Sequence, residues 1–258
     1  MGGVDRLASV TEKLVPVMAA FFLIGGLGVL AMRLQYIPET FALIFKYAFQ
    51  PQAIIGGGFG IAIKTAVSQG AKRGLFSNEA GMGSTPHAHA LALVKNPHEQ
   101  GCVAMVGVFI DTFIVLTLNA LVIISTLYAG NGPLANGYVG EAANTLKNTN
   151  LAQVAFGVVY GDKAGAVFVA ICLFFFAFST ILGWNLFAKI NVTYLFGKKA
   201  QRPFMLVALV FIFLGTIGES DLVWACSDMF NQLMVIPNAI ALFALTGVVT
   251  KMLGDRDK

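Results

Sequence analysis

The chain has 258 residues, 57% of them hydrophobic and only 12% charged, with a formal net charge of +4. A soluble domain carries about 25% charged residues, so the composition excludes an ordinary soluble domain and points to a membrane protein. The positive excess, which in a soluble chain would suggest a nucleic-acid partner, is accounted for by the cytoplasmic loops of an inserted protein. No nucleic acid is assigned.

The length has room for about six spans of roughly 20 residues. Six apolar segments are drawn in order: Leu14 to Met32, Ala53 to Val67, Gly101 to Tyr128, Ala164 to Phe187, Phe204 to Ile217 and Leu222 to Val249. No small-residue cleavage site follows Val15 to Leu30 and further apolar blocks come after it, so the first segment reads as an uncleaved span and not a signal peptide. Alternating sides place Arg6, Lys13, Lys72, Arg73, Lys95, Lys189, Lys198, Lys199, Arg202, Lys251, Arg256 and Lys258 on one face. The other face has Arg33, Lys46, Lys147 and Lys163, and Lys64 stays inside a segment, where snorkelling accounts for it. The positive-inside rule then puts both termini and Gly70 to Ala90 on the cytoplasmic side.

Between the first two segments, Leu34 to Gln50 holds Tyr36, Phe41, Phe45, Tyr47 and Phe49 and reads as an aromatic-rich external connection at the interface. In the second segment, Gly56, Gly57, Gly58 and Gly60 flank Phe59. Each glycine costs a helix roughly 1 kcal/mol relative to alanine, so the cluster predicts a broken helix whose free backbone groups grip a ligand. Close helix packing is the plainer alternative. Phe59 and Ile63 stand four apart on one face and can frame a methyl-sized side chain, with lipid contact as the alternative.

Gly70 to Ala90 reads GAKRGLFSNEAGMGSTPHAHA, a polar insert between apolar blocks with hinges expected at Gly74, Gly81 and Gly83. Irregular backbone beside a membrane is tolerated where it is buried in protein or lines water, which suggests a cavity wall or gate. Ser77, Asn78 and Glu79 supply a hydroxyl, an amide and a carboxylate; they either latch a gate or cap a helix N-terminus. His87, His89 and His98 do not form a convincing metal site, because a His-x-His pair on a helix points its rings in opposite directions.

The external connection Ala129 to Lys163 has a turn signal at Asn136-Gly137, and Val139 to Leu151 can form a short amphipathic helix. Asp111 and Asp228 are ionisable groups in apolar runs with no partner evident from sequence, Asp228 close to the external side. Ser179 and Thr180 interrupt an apolar helix; such hydroxyls either ligate a hard cation or bond back to a carbonyl one turn earlier, and the residues alone favour the second. Trp184 lies four residues further on the same face. Cys102, Cys172 and Cys226 all fall in apolar blocks and read as small core hydrophobes.

The string GLFSNEAGMGS followed by P-x-A-H-A resembles the signature of the alanine or glycine:cation symporter family, and VTEKLVP at Val10 to Pro16, FIDT at Phe109 to Thr112, AFSTILGW at Ala177 to Trp184 and MVIPN at Met234 to Asn238 fit it too. The resemblance runs through nearly the whole chain. It implies an all-α polytopic membrane protein of about six transmembrane helices, a single transmembrane domain resembling the second half of a five-plus-five inverted-repeat (leucine-transporter-type) fold, with the N-terminal helices absent.

The function implied is sodium-coupled symport of a small neutral amino acid, alanine or glycine, by alternating access in the plasma membrane, with no covalent chemistry and sodium as co-transported ion in place of a cofactor. The resemblance assigns substrate contact to Gly58, Phe59, Gly60, Ile63 and Trp184, sodium ligation to Ser179 and Thr180, and gating or structure to Ser77, Asn78, Glu79 and Gly81. His87 and Lys189 depart from the family's pattern. Two rival readings are an inactive fragment or partner subunit of such a transporter, completed by an N-terminal half, and a membrane-embedded enzyme using Ser77, Glu79 and His89. The second is the weaker.

Overall fold

The computed structural model describes residues 4–49, 59–79, 81–135, 146 and 150–254, with the side chains of 4–8, 49, 59–66, 253 and 254 outside the description. All regular structure among the described residues is helical. In chain order the helices are α1 Val4–Met32, α2 Ile37–Phe49, α3 Phe59–Asn78, α4 Thr85–His89, α5 Pro97–Phe109, α6 Thr117–Ile123, α7 Leu151–Tyr160, α8 Asp162–Phe196, α9 Gln201–Ile217 and α10 Ser220–Gly254. Wider π-type turns, Ile110–Leu116 and Ile124–Tyr128, join and end α5 and α6, so that Pro97 to Tyr128 is one continuous rod.

Five stretches are long and apolar enough to cross a membrane: Ser9–Met32, Pro97–Tyr128, Asp162–Phe196, Lys198–Ile217 and Ser220–Met252. They coincide with five of the six expected segments, each extended by its flanking polar turns. The remaining segment, Ala53 to Val67, lies largely outside the described residues. Its described continuation, α3, is too polar to qualify, carrying Lys64, Ser68, Gln69, Lys72 and Arg73.

The chain divides into two compact units, Met1–Ala66 with Gly107–Leu186 and Val67–Val106 with Phe187–Lys258. The first unit holds a core of Val29, Leu30, Leu118, Val122, Leu127, Phe156 and Val169, drawn from α1, α6 with the turn that ends it, α7 and α8. Close approach is permitted by α1's glycines. A Cβ on Gly25 would collide with the Phe168 ring, and one on Gly26 would lie 2.7 Å from Leu118. The Tyr160 hydroxyl uses the same gap to donate to the Gly25 carbonyl at 2.7 Å.

The connection after α1 contains a helix, α2. Pro38 falls in the first turn of α2, where no backbone donor is needed. Thr40, fully buried, bonds back to the Tyr36 carbonyl at 2.8 Å. Arg33 anchors this corner: its Nε and Nη2 donate to the Ser125 carbonyl at 3.0 and 2.5 Å, and its guanidinium covers the Tyr36 ring at 3.8 Å. The Gly130 amide donates to Glu39 at 3.0 Å.

In the external connection, most of Val139 to Leu151 lies outside the described residues, and the described helix there, α7, runs Leu151–Tyr160.

The second unit contains the end of α3, the irregular turn 79–84, α4, the start of α5, the end of α8, and α9 and α10. Buried side chains in it centre on the turn, with Met82 at 3% and Ser84 at 1% exposure.

Candidate functional site: a braced break beside a long helix

Helix α3 runs without interruption through Gly70 and Gly74, so the expected hinge at Gly74 is absent; lysine, arginine, leucine and alanine around it sustain the helix. The break comes at Glu79. Its φ of 52° is the left-handed conformation that ends helices, and for a non-glycine residue this costs roughly 1–3 kcal/mol unless the surroundings enforce it. Ser77 and Asn78 are therefore the last residues of a helix, where a cap at a helix start was one expectation.

The turn is held from within and from outside. Met82 N–H donates to the Glu79 carbonyl at 3.1 Å, and Ser84 Oγ donates to Glu79 Oε2 at 2.9 Å. Asn238 of α10 then donates from Nδ2 to the Gly81 carbonyl at 3.1 Å. Gly83, with φ of 77°, packs so closely on Asn238 that a Cβ there would stand 2.6 Å from its Oδ1. Only glycine meets both demands.

Asn238 follows Ser220, the start of α10, by 18 residues, placing it about 27 Å along the helix at 1.5 Å per residue. The irregular backbone thus lies against the middle of a helix of membrane-crossing length. Pro237 precedes Asn238 inside α10 and, having no N–H, leaves the Leu233 carbonyl without its helical donor.

Nearer the start of α10, Arg73 and Asp228 form a two-pronged pair, Nη1 to Oδ1 at 3.1 Å and Nη2 to Oδ2 at 3.3 Å, with the guanidinium 5.4 Å from the Trp224 ring. Asp228 therefore has a partner, and it stands level with a residue expected on the opposite side of the membrane. The positive-inside count placed each residue by loop; α3 carries Arg73 within a helix alongside α10. A groove of about 250 Å³ next to the pair is lined by Ser68, Lys72, Leu75, Met82, Asp228 and Gln232, among others.

The three histidines go to separate partners. His87 bonds the Ser84 carbonyl through Nδ1 at 3.0 Å and Asn191 Nδ2 through Nε2 at 3.0 Å, with its ring 5.7 Å from Phe187. His89 pairs with Gln100 at 2.7 Å, and His98 with Cys102 at 3.3 Å. Among the described residues, no three metal-ligating side chains gather.

Of the expected substrate contacts, Gly58 lies outside the described residues, and Phe59, Gly60 and Ile63 are described only as the first turns of α3. Trp184 is half-buried on α8. On the same helix, Ser179 Oγ donates to the Phe176 carbonyl at 3.0 Å and lies 3.7 Å from Met18 Sδ on α1, while Thr180 is exposed. Ser179 thus makes the back-bond that the residues alone favour. Gly83 is the expected hinge that the structure does bend, with φ of 77°, whereas neither the Asn238 brace nor the pairing of Arg73 with Asp228 is evident from sequence. The available signal was an asparagine beside a proline in an apolar helix, a polar group that needs a partner at membrane depth.

Several apolar rods of membrane-crossing length define a multi-pass helical membrane protein. The chain belongs to the sodium:alanine symporter family, whose pattern it matches over residues 1–258. That family consists of symporters and not enzymes. An uncharacterized transporter of Haemophilus influenzae is 40% identical over 255 residues, covering 98% of this chain and 50% of that protein. The sodium/alanine symporter AgcS of Methanococcus maripaludis is 38% identical over 250 residues, 96% of this chain and 52% of that protein. A sodium/proton-dependent alanine carrier protein of Bacillus sp. (strain PS3) is 36% identical over 256 residues, 95% and 55% respectively. The chain spans about half the length of the curated relatives it matches.

Proposed function

We propose that this protein serves sodium-coupled symport of a small neutral amino acid, alanine or glycine, with sodium as co-transported ion and alternating access as mechanism. The observation that carries the reading is the strained turn that begins at Glu79, tied by Ser84 and held against the middle of α10 by Asn238. Two relatives named for sodium and alanine favour this substrate pair. Gating by Ser77, Asn78, Glu79 and Gly81 is proposed from the same place: the Asn238 amide on the Gly81 carbonyl is a contact that can open without unfolding either helix.

Substrate contact is proposed for Gly58, Phe59, Gly60 and Ile63 at the start of α3 and for Trp184 on α8, and sodium ligation for Ser179 and Thr180. A hydroxyl that donates to a carbonyl one turn back keeps its lone pairs free for a cation. Both termini are proposed to face the cytoplasm, in the plasma membrane. Labelled-alanine uptake driven by a sodium gradient tests the reading, and uptake indifferent to sodium would redirect it to another coupling ion.

A further inference from the structure

Helices α8 and α9 are joined by a sharp turn at Gly197, with φ of 77°, followed by a single 3-10 turn, Lys198–Ala200. Three cations crowd into five residues there, Lys198, Lys199 and Arg202, all exposed. No acidic residue occurs between Asp162 and Glu219 to offset them. The turn is pre-set: Gln201 Nε2 donates to the Thr193 hydroxyl, and Thr193 Oγ1 in turn donates to the Lys189 carbonyl at 2.6 Å, tying the last turns of α8 to the first turn of α9.

Depth follows from length. The stretch Lys198–Ile217 has 20 residues, about 30 Å of helix, which is one hydrocarbon thickness and no more. Its charged first turn must therefore stand at the boundary. Immediately before it, Tyr194, Leu195 and Phe196 are 87%, 67% and 72% exposed, apolar and aromatic side chains suited to the lipid interface.

We infer that the turn Gly197–Arg202 is a docking site for anionic phospholipid headgroups. Lys198, Lys199 and Arg202 take the phosphate, and Tyr194 and Phe196 settle among the upper acyl carbons. A cluster serving insertion alone needs only its charge; this one has fixed geometry as well.

The test titrates purified protein in neutral detergent with phosphatidylglycerol, phosphatidylcholine and, separately, inorganic phosphate, following the thermal midpoint. Each cation near an anionic leaflet contributes about fivefold in affinity, so Lys198→Gln/Lys199→Gln/Arg202→Gln should need about 100-fold more phosphatidylglycerol for half its effect. Arg202→Gln alone, which keeps two lysines for insertion, should need about fivefold more. The charge-preserving Lys198→Arg/Lys199→Arg should follow the parent protein. Equal responses of parent and neutralised variants overturn the inference, and so does inorganic phosphate reproducing the whole shift, since the site would then bind soluble anions.

Discussion

Replacing Asn238 with alanine removes the amide that holds the Gly81 carbonyl. An acceptor left without its donor costs about 1–3 kcal/mol when buried. Gly81 is only half-buried, so the lower end applies. A penalty of about 1–1.5 kcal/mol raises the population in which the turn has left α10 by about 5- to 10-fold. Met82 reports this directly because it is 3% exposed beneath the brace. In a background with Cys102, Cys172 and Cys226 replaced, a cysteine introduced by Met82→Cys should be alkylated about 5- to 10-fold faster when Asn238→Ala is added. Asn238→Asp, which sets a carboxylate against the carbonyl, should be faster still. An alkylation rate unchanged by either substitution would falsify the view that Asn238 holds the turn closed.

Gly83→Ala should lower uptake and thermal stability together, since the added Cβ meets Asn238 and the positive φ is strained; normal behaviour would mean that the turn relaxes freely. Ser179→Ala with Thr180→Ala should raise the sodium concentration for half-maximal uptake at unchanged membrane expression, and an unmoved sodium dependence removes both from the ion's path. Gly60→Leu should abolish amino acid binding by closing the backbone, whereas retained affinity favours packing as the purpose of the glycines. Phe156→Ala, emptying a fully buried position, should cost about 3–5 kcal/mol of stability by denaturation, and a loss under 1 kcal/mol would show that the first unit's core is misplaced.

The long rods were legible because apolar runs of membrane length permit little but helix, and polar turns at Gly197 and Gly218 end them cleanly. Helix α2 was not legible in the aromatic-rich connection: aromatic residues suit an interface loop and an interface helix equally, and the contact that fixes the corner, Arg33 on the Ser125 carbonyl, joins residues 92 apart in sequence. The polar stretch after the second segment was recognised as special, yet its geometry was not. Gly74 reads as a hinge but sits in helix, while the true break falls on Glu79, a residue with no intrinsic preference for the left-handed region. What forces it there is Ser84 on its carboxylate and Asn238 on Gly81, one of them 157 residues from its partner. Asp228 needs a partner on sequence grounds, but loop counting sets Arg73 and Asp228 near opposite sides and so does not pair them.

The central claim is that this fold couples an amino acid to sodium. Proteoliposomes carrying the protein, loaded without sodium and diluted into sodium buffer with labelled alanine, measure it most directly. Uptake above that of empty liposomes, abolished when sodium is equal on both sides and reduced by Asn238→Ala, is the result expected of sodium-coupled symport. Uptake that is the same with and without the sodium gradient, while a proton gradient drives it, would contradict the account.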